Sequence, residues 1–481
     1  MADRGAAIRA YVAPATGAAF CIAPLVIAPP AGMSPEAWRA TGVGLLMATW
    51  WITEAVPIPV TALLPLVLFP VLGILSIDDA ASPYANPVIF LFLGGFIIAR
   101  ALEQSGLHKR IALTTIGLVG TRPANLIGGF MVATAFISLW VSNTATMLMM
   151  LPMATSVIAY SERDAARADP HFATTLILGI AFAASIGGVG TLIGTPPNAL
   201  LAGFVSETYG REIGFAQWML MGVPVVLLAL PLTWLVLVRW PHPLARDEIA
   251  GGRDAFRGEM LALGPMSRTE WTAGAITAFT ALFWIARPLI GRVVPGLSDT
   301  GIAIFGAVLM FLVPVTRSGF TATLRWEEAE RIPWSVLILF GGGLSLAGAL
   351  SATGVATWLG DSMAAFDALP TFAVIAIITT VVLILSELAS NTATAAVFLP
   401  IAASMAVGMN ADPLTFAVPA ALAASCGFML PVGTPPNAIA FASGRVTIRQ
   451  MVVAGVWVDV LMLVVINLLV FLFAGRIFGT T

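Results

Sequence analysis

The sequence has few charged residues. Lys, Arg, Asp and Glu make up 10% of its 481 residues, against 59% hydrophobic ones, and the mean hydropathy is +0.95. A soluble domain carries roughly 25% charged residues, so this chain has too few to cover itself in water. Apolar runs of about 20 residues, the length that crosses hydrocarbon, recur along the chain. The sequence therefore predicts a polytopic membrane protein in a lipid bilayer.

Cysteine, histidine and clustered basic residues are also scarce. Cys21 and Cys426 lie far apart in apolar runs, so we expect buried small side chains rather than a disulfide or a metal pair. The net charge of −2, without a basic cluster, argues against nucleic acid as a partner. The apolar runs offer no set of nucleophile and base and no metal cluster, so an enzyme is not expected.

One polar stretch occurs twice within the apolar runs. Residues 142–146 and 390–394 both read Ser-Asn-Thr-Ala-Thr, and Gly-Thr-Pro-Pro-Asn follows each of them, at 194–198 and 433–437. Polar side chains and helix-breaking residues persist at membrane depth where they face a lined cavity. Two such pairs in corresponding halves of an apolar chain indicate a duplicated binding site, as in secondary transporters.

Both Ser-Asn-Thr motifs lie in apolar runs that are too long for one crossing. A single helix of about 37 residues would be about 55 Å long, almost twice the hydrocarbon thickness. Two shorter helices that meet at the polar tip remove this difficulty, which predicts re-entrant hairpins at 123–160 and 370–408. The Gly-Thr-Pro-Pro-Asn elements break the overlong runs 172–207 and 414–443.

The expected fold class is an all-α polytopic membrane protein with about eleven transmembrane helices and two re-entrant hairpins. An N-terminal segment with a retained first span (1–37) precedes a first repeat (38–240). A polar cytoplasmic linker (241–270) and a second repeat (271–481) follow. Phe92 and Gly94 recur as Phe340 and Gly342 with the offset of 248 residues that also relates the Ser-Asn-Thr motifs.

The order of the spans predicts how the two halves are related. Five crossings separate the hairpins, and this odd number turns the second hairpin upside down, giving an inverted repeat. With the N-terminus in the cytoplasm, most basic residues, including Arg325 and Arg331, fall on cytoplasmic segments. Tryptophans near the ends of apolar runs are expected to be interfacial anchors; they include Trp38, Trp218, Trp271 and Trp334.

The motifs supply oxygen ligands but no cationic side chain. Ser138 and Ser386 precede their motifs by four residues and so share a helix face with Ser142 and Ser390. Hydroxyls, Asn carboxamide oxygens and free backbone carbonyls form an all-oxygen site that suits a monovalent cation such as Na⁺. An anionic substrate would then be balanced by bound cations, helix ends and neutral donors. The alternative is that these residues only cap interrupted helices, but the duplication of both motifs argues against it.

Two acidic residues lie close to these elements. Glu54 is beside a break in the apolar pattern, where a structural role at the end of a span is expected. Glu387 lies in the second hairpin next to Ser386, and we expect it to make a hydrogen bond within the scaffold.

The motifs in context resemble the divalent anion/sodium symporter family over essentially the whole chain. The resemblance rests on Trp-Ile-Thr-Glu-Ala-Val-Pro at 51–57, Ser-Glu-Leu-Ala-Ser-Asn-Thr-Ala-Thr at 386–394 and Ser-Cys-Gly-Phe-Met-Leu-Pro-Val-Gly-Thr-Pro-Pro-Asn-Ala-Ile at 425–439. It implies a homodimer in the cytoplasmic membrane, each protomer with a scaffold and a moving transport domain. It also implies sodium-driven uptake of C4-dicarboxylates (succinate, malate and fumarate) by an elevator movement.

The resemblance further implies the ligands. One sodium site would use Ser138, Ser142, Asn143 and Gly194, and the second would use Ser386, Ala389, Asn391 and Gly433. The substrate carboxylates would be held by two sets of residues, Asn143, Thr144, Thr195 and Pro196 and then Asn391, Thr392, Thr434 and Pro435. Gly433 stands where many members have Ala, a change that a carbonyl ligand tolerates. A dicarboxylate or citrate antiporter without sodium coupling is the alternative within transport, sulfate carriers belong to the same family, and a channel is the alternative from another class.

Overall fold

The chain folds into helices joined by short turns. A computed structural model describes residues 11–162, 169–240, 244, 258, 260–316, 321–362 and 369–479. Its helices in the first half are α1 (Ala13–Val26), α2 (Pro35–Thr53), α3 (Ile58–Thr61), α4 (Pro65–Val71), α5 (Ile77–Ala81), α6 (Pro87–Ser105), α7 (Leu107–Gly117), α8 (Pro123–Ser138), α9 (Asn143–Ser161), α10 (Phe172–Gly188), α11 (Pro196–Tyr209) and α12 (Phe215–Arg239).

The second half follows a similar order. Its helices are α13 (Arg268–Ile290), α14 (Asp299–Leu312), α15 (Trp326–Ala329), α16 (Trp334–Ala352), α17 (Val355–Ser362), α18 (Thr371–Leu388), α19 (Asn391–Gly408), α20 (Leu414–Ala424), α21 (Pro435–Ala442) and α22 (Ile448–Phe478). The run α8 to α12 therefore corresponds to the run α18 to α22. Most of the expected linker 241–270 lies outside the described residues, and α13 begins within it, at Arg268.

Both long Ser-Asn-Thr runs form two helices, as the sequence predicts. In the first, α8 ends at Ser138 and α9 begins at Asn143. In the second, α18 ends at Leu388 and α19 begins at Asn391. Ser142 and Ser390 are the N-cap residues of α9 and α19 and have non-helical backbone dihedrals, so the chain turns at the polar tip.

The Gly-Thr-Pro-Pro-Asn elements break two further runs. Residues 189–195 separate α10 from α11, and residues 425–434 separate α20 from α21. The first proline of each element occupies the first helical position, where its missing N–H leaves no donor unsatisfied. Each break therefore ends in a helix N-terminus, at Thr195 and at Thr434.

The apolar helices agree with a membrane protein. Eight stretches within the described residues are long and apolar enough to cross a membrane by length and composition, and they include α12, α13, α16 and α22. Several broken or shorter helices join them, including α10 (Phe172–Gly188) and α14 (Asp299–Leu312). The expected spans correspond to α1, α2, α3 with α4, α6, α10 with α11, α12, α13, α14, α16, α20 with α21, and α22.

The helices pack in two groups. Within the runs α8 to α12 and α18 to α22, α8 packs with α10, and α20 packs with both α18 and α19. The two runs pack against each other through α12 with α22, α11 with α19, and α10 with α21. The second group contains α1 with α2, α6 with α14, and α13 with α14. Contacts of α16 with α11 and of α17 with α19 join the two groups. Both hairpins and both broken segments thus belong to the first group.

One expected interfacial residue lies elsewhere. Trp218 is fully buried, and its Nε1 donates to the Val189 carbonyl at 3.0 Å, in the first break. Trp271 and Trp334 are 64% and 45% exposed, as interfacial anchors would be. The prediction for Trp218 is wrong because an apolar run also ends where a helix packs against an interrupted segment, and a buried Trp needs an acceptor for its N–H.

Candidate functional site

A single cavity of about 770 Å³ lies between the two hairpin tips and the two broken segments. Its lining includes all the residues that the sequence analysis assigns to carboxylate binding: Asn143, Thr144, Thr195, Pro196, Asn391, Thr392, Thr434 and Pro435. The expectation that both tips meet in one place is confirmed. Polar residues about 250 positions apart in sequence therefore meet in one cavity, together with apolar residues such as Phe96 and Val432.

Four helices begin at this cavity. They are α9 at Asn143, α11 at Pro196, α19 at Asn391 and α21 at Pro435, and their N-cap residues also line the cavity. A helix N-terminus carries roughly half a positive charge. The starts of α9 and α19 also present N–H groups, whereas α11 and α21 begin with two prolines and have no N–H there. Four helix N-termini aimed at one space favour an anion there without a cationic side chain in the motifs.

Capping alone does not account for these polar residues. Ser142 Oγ accepts the Ala145 N–H at 3.3 Å, and Thr434 Oγ1 accepts the Asn437 N–H at 3.4 Å. The side chains of Ser390 and Thr195 make no capping hydrogen bond. The hydroxyls of two of the four helix starts are therefore free to face the cavity.

The first hairpin tip gathers oxygen atoms around Asn143. With the carboxamide oxygen turned inward, it lies 2.7 Å from Ser138 Oγ, 3.0 Å from the Ala184 carbonyl and 3.2 Å from the Gly194 carbonyl. Ser138 has only one hydroxyl proton, and its Oγ also lies 2.7 Å from the Ala184 carbonyl. The cluster is satisfied in one of two ways, by turning the amide N–H₂ inward or by a cation among the oxygens.

The second tip repeats this arrangement. Ser386 Oγ lies 2.7 Å from Asn391 Oδ1 and 2.8 Å from the Ala424 carbonyl, so one proton again faces two acceptors. Ser138 and Ser386 are both fully buried, and neither lines the cavity itself. Ala389 is likewise buried, at 3% exposure. The serines thus lie behind the tips, while both Asn residues face both the serine and the cavity.

Glycine is required where the first tip meets the first break. A Cβ at Gly188 would lie 2.3 Å from Asn143 Oδ1, and a Cβ at Gly194 would lie 2.4 Å from the Gly188 carbonyl oxygen. Real Cβ atoms do not approach polar atoms this closely. The absence of side chains at these two positions therefore permits the oxygen cluster to form.

The final Asn of each Gly-Thr-Pro-Pro-Asn element holds its break open. Asn198 Nδ2 donates to the carbonyls of Gly188, Val189 and Thr191, at 3.3, 3.2 and 2.7 Å. Asn437 Nδ2 donates to the carbonyls of Gly427 and Leu430, at 2.9 and 3.1 Å. Both Asn residues are fully buried. They satisfy carbonyls that the interrupted helices cannot pair, which is necessary for non-helical backbone inside an apolar protein.

Glu387 makes the hydrogen bonds that the sequence analysis expects of it. Its carboxylate accepts the N–H groups of Phe428 (2.5 Å) and Met429 (2.9 Å) at one oxygen and of Leu430 (2.9 Å) at the other. It is 2% exposed. Glu387 therefore fixes the second break to the second hairpin.

Charged residues that the sequence analysis did not assign to the site also line the cavity. They are Glu54, Arg100, Glu103 and Arg331. None lies in a repeated motif, and each comes from the helix group that contains α2, α6 and α15. Glu54 directly follows α2, at the end of a span as expected, and it also lines the cavity. No local sequence signal indicates the position of Arg100, Glu103 or Arg331. The motifs contain no cationic side chain, as noted from the sequence, but the cavity wall opposite them does.

These features define a class of protein. Long apolar helices surround a polar cavity that is built from two broken hairpins and two broken segments, and this combination is that of a membrane transporter rather than an enzyme. The chain belongs to the family described as the sodium:sulfate symporter transmembrane region, whose model matches residues 11–480.

Two similar proteins illustrate the family. The chain is 41% identical over 466 residues to the sodium-dependent dicarboxylate transporter SdcS of Staphylococcus saprophyticus, covering 95% of this chain and 89% of that protein. It is 42% identical over 449 residues to the protein of the same name from Staphylococcus aureus, covering 91% and 86%.

Two solved structures share the fold at low sequence identity. The Alcanivorax borkumensis YdaH transporter matches with a TM-score of 0.59 and 17% identity, over 90% of this chain and 98% of that chain. Neisseria gonorrhoeae MtrF matches with a TM-score of 0.53 and 12% identity, over 82% and 83%. At these identities the likeness concerns the arrangement of helices alone.

Proposed function

We propose that the chain is a sodium-coupled symporter of C4-dicarboxylates such as succinate, malate and fumarate. The observation that carries the proposal is the cavity in which four helix N-termini meet two oxygen clusters, with no cationic side chain in the motifs. A dianion in such a place needs positive charge, and the oxygen clusters are where a cation would supply it. The relatives named sodium-dependent dicarboxylate transporters support this reading.

The sodium ions would bind at the two tips. Ser138, Ser142, Asn143 and Gly194 would hold one, and Ser386, Ala389, Asn391 and Gly433 would hold the other. At the first tip, Ser138 Oγ and the carbonyls of Ala184 and Gly194 converge on the Asn143 carboxamide at 2.7, 3.0 and 3.2 Å. They would accept from its N–H₂ without a cation, and they would join its oxygen as ligands when the amide turns over to bind one. Hard monovalent cations bind to such sets of hydroxyl, carboxamide and carbonyl oxygens.

The substrate would lie between the tips. The N–H groups at the starts of α9 and α19 and the Asn and Thr side chains of the four motifs would bind its two carboxylates. Pro196 and Pro435 have no N–H and would line the space at the starts of α11 and α21. Asn143 and Asn391 contact both the buried serine and the cavity, so each would couple a cation to a carboxylate. Substrate and sodium affinities should therefore depend on each other.

Transport would proceed by an elevator movement. The helices α8 to α12 and α18 to α22 would move as an inverted pair of repeats against the remaining helices, in a homodimer in the cytoplasmic membrane with the N-terminus inside. The separate packing of these two helix groups supports the division.

Uptake of labelled succinate into proteoliposomes tests the proposal. A sodium gradient should drive accumulation, and replacing sodium with potassium should abolish it. Uptake that depends on internal dicarboxylate and not on sodium would instead establish an anion exchanger. Passive equilibration without saturation would establish a channel.

A further inference from the structure

Four charged side chains form a network at one wall of the cavity. Arg100 in α6 donates to Glu103 Oε2 at 2.9 Å and to Glu328 Oε2, in α15, at 2.6 Å. Arg331, just after α15, contacts Glu328 Oε1 at 3.4 Å. Arg100, Glu103 and Arg331 line the cavity. The network lies in the helix group that does not contain the hairpins.

The two arginines differ in how fully they are engaged. The side chain of Arg100 is 27% exposed and bonds two carboxylates at short distances. The Arg331 side chain is 65% exposed, and its 3.4 Å contact exceeds the 2.7–2.9 Å of a charge-assisted hydrogen bond. Hydrogen bonding to Arg100 is the largest cause that lowers the pKa of Glu328, so this carboxylate stays ionised beside Arg100. Arg331 therefore has donors available at the point where the cavity meets the surface.

We infer that Arg331 forms an outer carboxylate-binding subsite, where one end of the dicarboxylate binds as it passes between the cavity and water. The inference rests on the proposed function and adds a residue outside the repeated motifs to it. Guanidinium is suited to this role because its planar donors match a carboxylate and because it is weakly hydrated. Arg100 stays bound to Glu103 and Glu328. Because Glu328 is engaged by Arg100, Arg331 lies at the mouth of the cavity without a tight ion pair of its own.

The Arg331 subsite should raise the rate at which the dicarboxylate associates with the cavity more than it raises the affinity of the final binding site. An exposed positive charge at the mouth of a low-dielectric cavity raises the local concentration of an anion and its association rate. Such an effect declines with ionic strength, because the Debye length falls from about 10 Å at 0.1 M salt to about 3 Å at 1 M. The proposed sodium sites include Ser138 and Ser386, which lie behind the hairpin tips, and they do not include Arg331. The affinity for sodium when succinate is saturating should therefore not depend on Arg331.

A matched pair of variants tests the inference. Arg331→Gln removes the proposed subsite, and Arg325→Gln removes an equal charge from an exposed residue six positions earlier that does not line the cavity. Succinate transport is measured in proteoliposomes of known orientation, with substrate on the side that Arg331 faces, which the predicted orientation makes cytoplasmic. We expect Arg331→Gln to raise the half-saturating succinate concentration about two- to fivefold at low ionic strength. Arg325→Gln should change it less, and the half-saturating sodium concentration, measured at saturating succinate, should stay the same in both.

The dependence on ionic strength and an Arg331→Lys variant complete the test of the subsite. Raising the ionic strength at constant sodium should bring Arg331→Gln and the wild type together, and Arg331→Lys should recover part of the loss. Equal effects of the two glutamine variants, or an unchanged half-saturation in Arg331→Gln, would overturn the subsite while leaving sodium-coupled transport intact. A wild type that transports no dicarboxylate would overturn the proposed function and the subsite together.

Discussion

The two halves of the site use the same motifs but join hairpin to break in different ways. In the first half, Thr191 Oγ1 in the break donates to the Leu139 carbonyl in the hairpin at 2.6 Å. The corresponding positions in the second half are Leu430 and Glu387. There the Leu430 N–H donates to the Glu387 carboxylate at 2.9 Å. The contact between the two positions is retained although the donor and acceptor groups have changed.

This difference gives the two sites different electrostatics. Glu387 Oε2 lies 3.1 Å from where a Cβ on Gly433 would be, so a carboxylate lies beside the second proposed cation site. The corresponding residue near the first site is Leu139, which is apolar. A carboxylate at this distance favours a cation, most strongly in a low-dielectric interior. The comparison therefore predicts a stronger cation site in the second half, supported by Glu387, and a weaker one in the first.

The largest effect in this comparison is expected from Glu387→Ala. It removes the acceptor of three N–H groups, one buried (Phe428) and two partly buried (Met429 and Leu430), and an unsatisfied group costs about 1–3 kcal/mol when it is buried. We expect a clearly lower midpoint of thermal unfolding in detergent and loss of sodium-driven uptake. Glu387→Gln is the control, because it retains an acceptor and removes the charge, and it should stay folded with weakened sodium activation. Wild-type sodium activation in a folded Glu387→Gln protein would show that the carboxylate does not support the second site.

The next largest effects are expected from Asn143→Ala and Asn391→Ala. Each removes a side chain that contacts both a buried serine hydroxyl and the cavity. Loss of one ligand to a charged species costs about 1.5–3 kcal/mol, so half-saturating sodium and succinate concentrations should both rise about tenfold or more. Transport kinetics over a matrix of sodium and succinate concentrations measure both. Unchanged sodium dependence in both variants would remove the proposal that cation and substrate share these residues.

The parts of the site that follow from the repeated motifs and from the membrane environment can be predicted from the sequence alone. A polar Ser-Asn-Thr stretch in an overlong apolar run cannot be a continuous helix in hydrocarbon, so the hairpins and breaks follow from length and composition. The duplication then implied that both tips share one cavity, as they do. The hydrogen bonds of Glu387 can also be predicted from the sequence, because a buried carboxylate must have donors.

The features of the site that could not be predicted from the sequence depend on packing between segments that are distant in the chain. Trp218 reads as an interfacial anchor, because both anchors and buried tryptophans occur at the ends of apolar runs. Arg100 and Arg331 lie outside every motif and reach the cavity because α6 and α15 pack beside it. Thr191 corresponds to Leu430 in the second half, so the role of its hydroxyl could not be predicted from the repeat.

A smaller effect is expected from Asn198→Ala and Asn437→Ala. Asn198 bonds three carbonyls and Asn437 bonds two, but the Val189 carbonyl also accepts from Trp218 and the Leu430 carbonyl also accepts from the Gly433 N–H. Asn198→Ala therefore leaves two carbonyls without a donor and Asn437→Ala leaves one, and each such group costs about 1–3 kcal/mol when buried, so the loss of stability should be larger in Asn198→Ala. Thermal unfolding of the two variants side by side measures this. An equal or larger loss in Asn437→Ala would contradict this account of the two breaks.

The smallest effect is expected from Thr191→Val, which removes the hydroxyl that joins the first break to the first hairpin. The Thr191 hydroxyl donates to the Leu139 carbonyl at 2.6 Å and accepts the Gly194 N–H at 3.1 Å. Losing it should lower stability by about 1–2 kcal/mol and displace the Gly194 carbonyl, so half-saturating sodium should rise a few-fold while the maximal uptake rate is unchanged. Thr191→Ser keeps the hydroxyl and should behave as the wild type. If Thr191→Val weakened sodium activation as much as Glu387→Gln, the two halves would contribute equally, and the electrostatic difference drawn from Glu387 would have no functional weight.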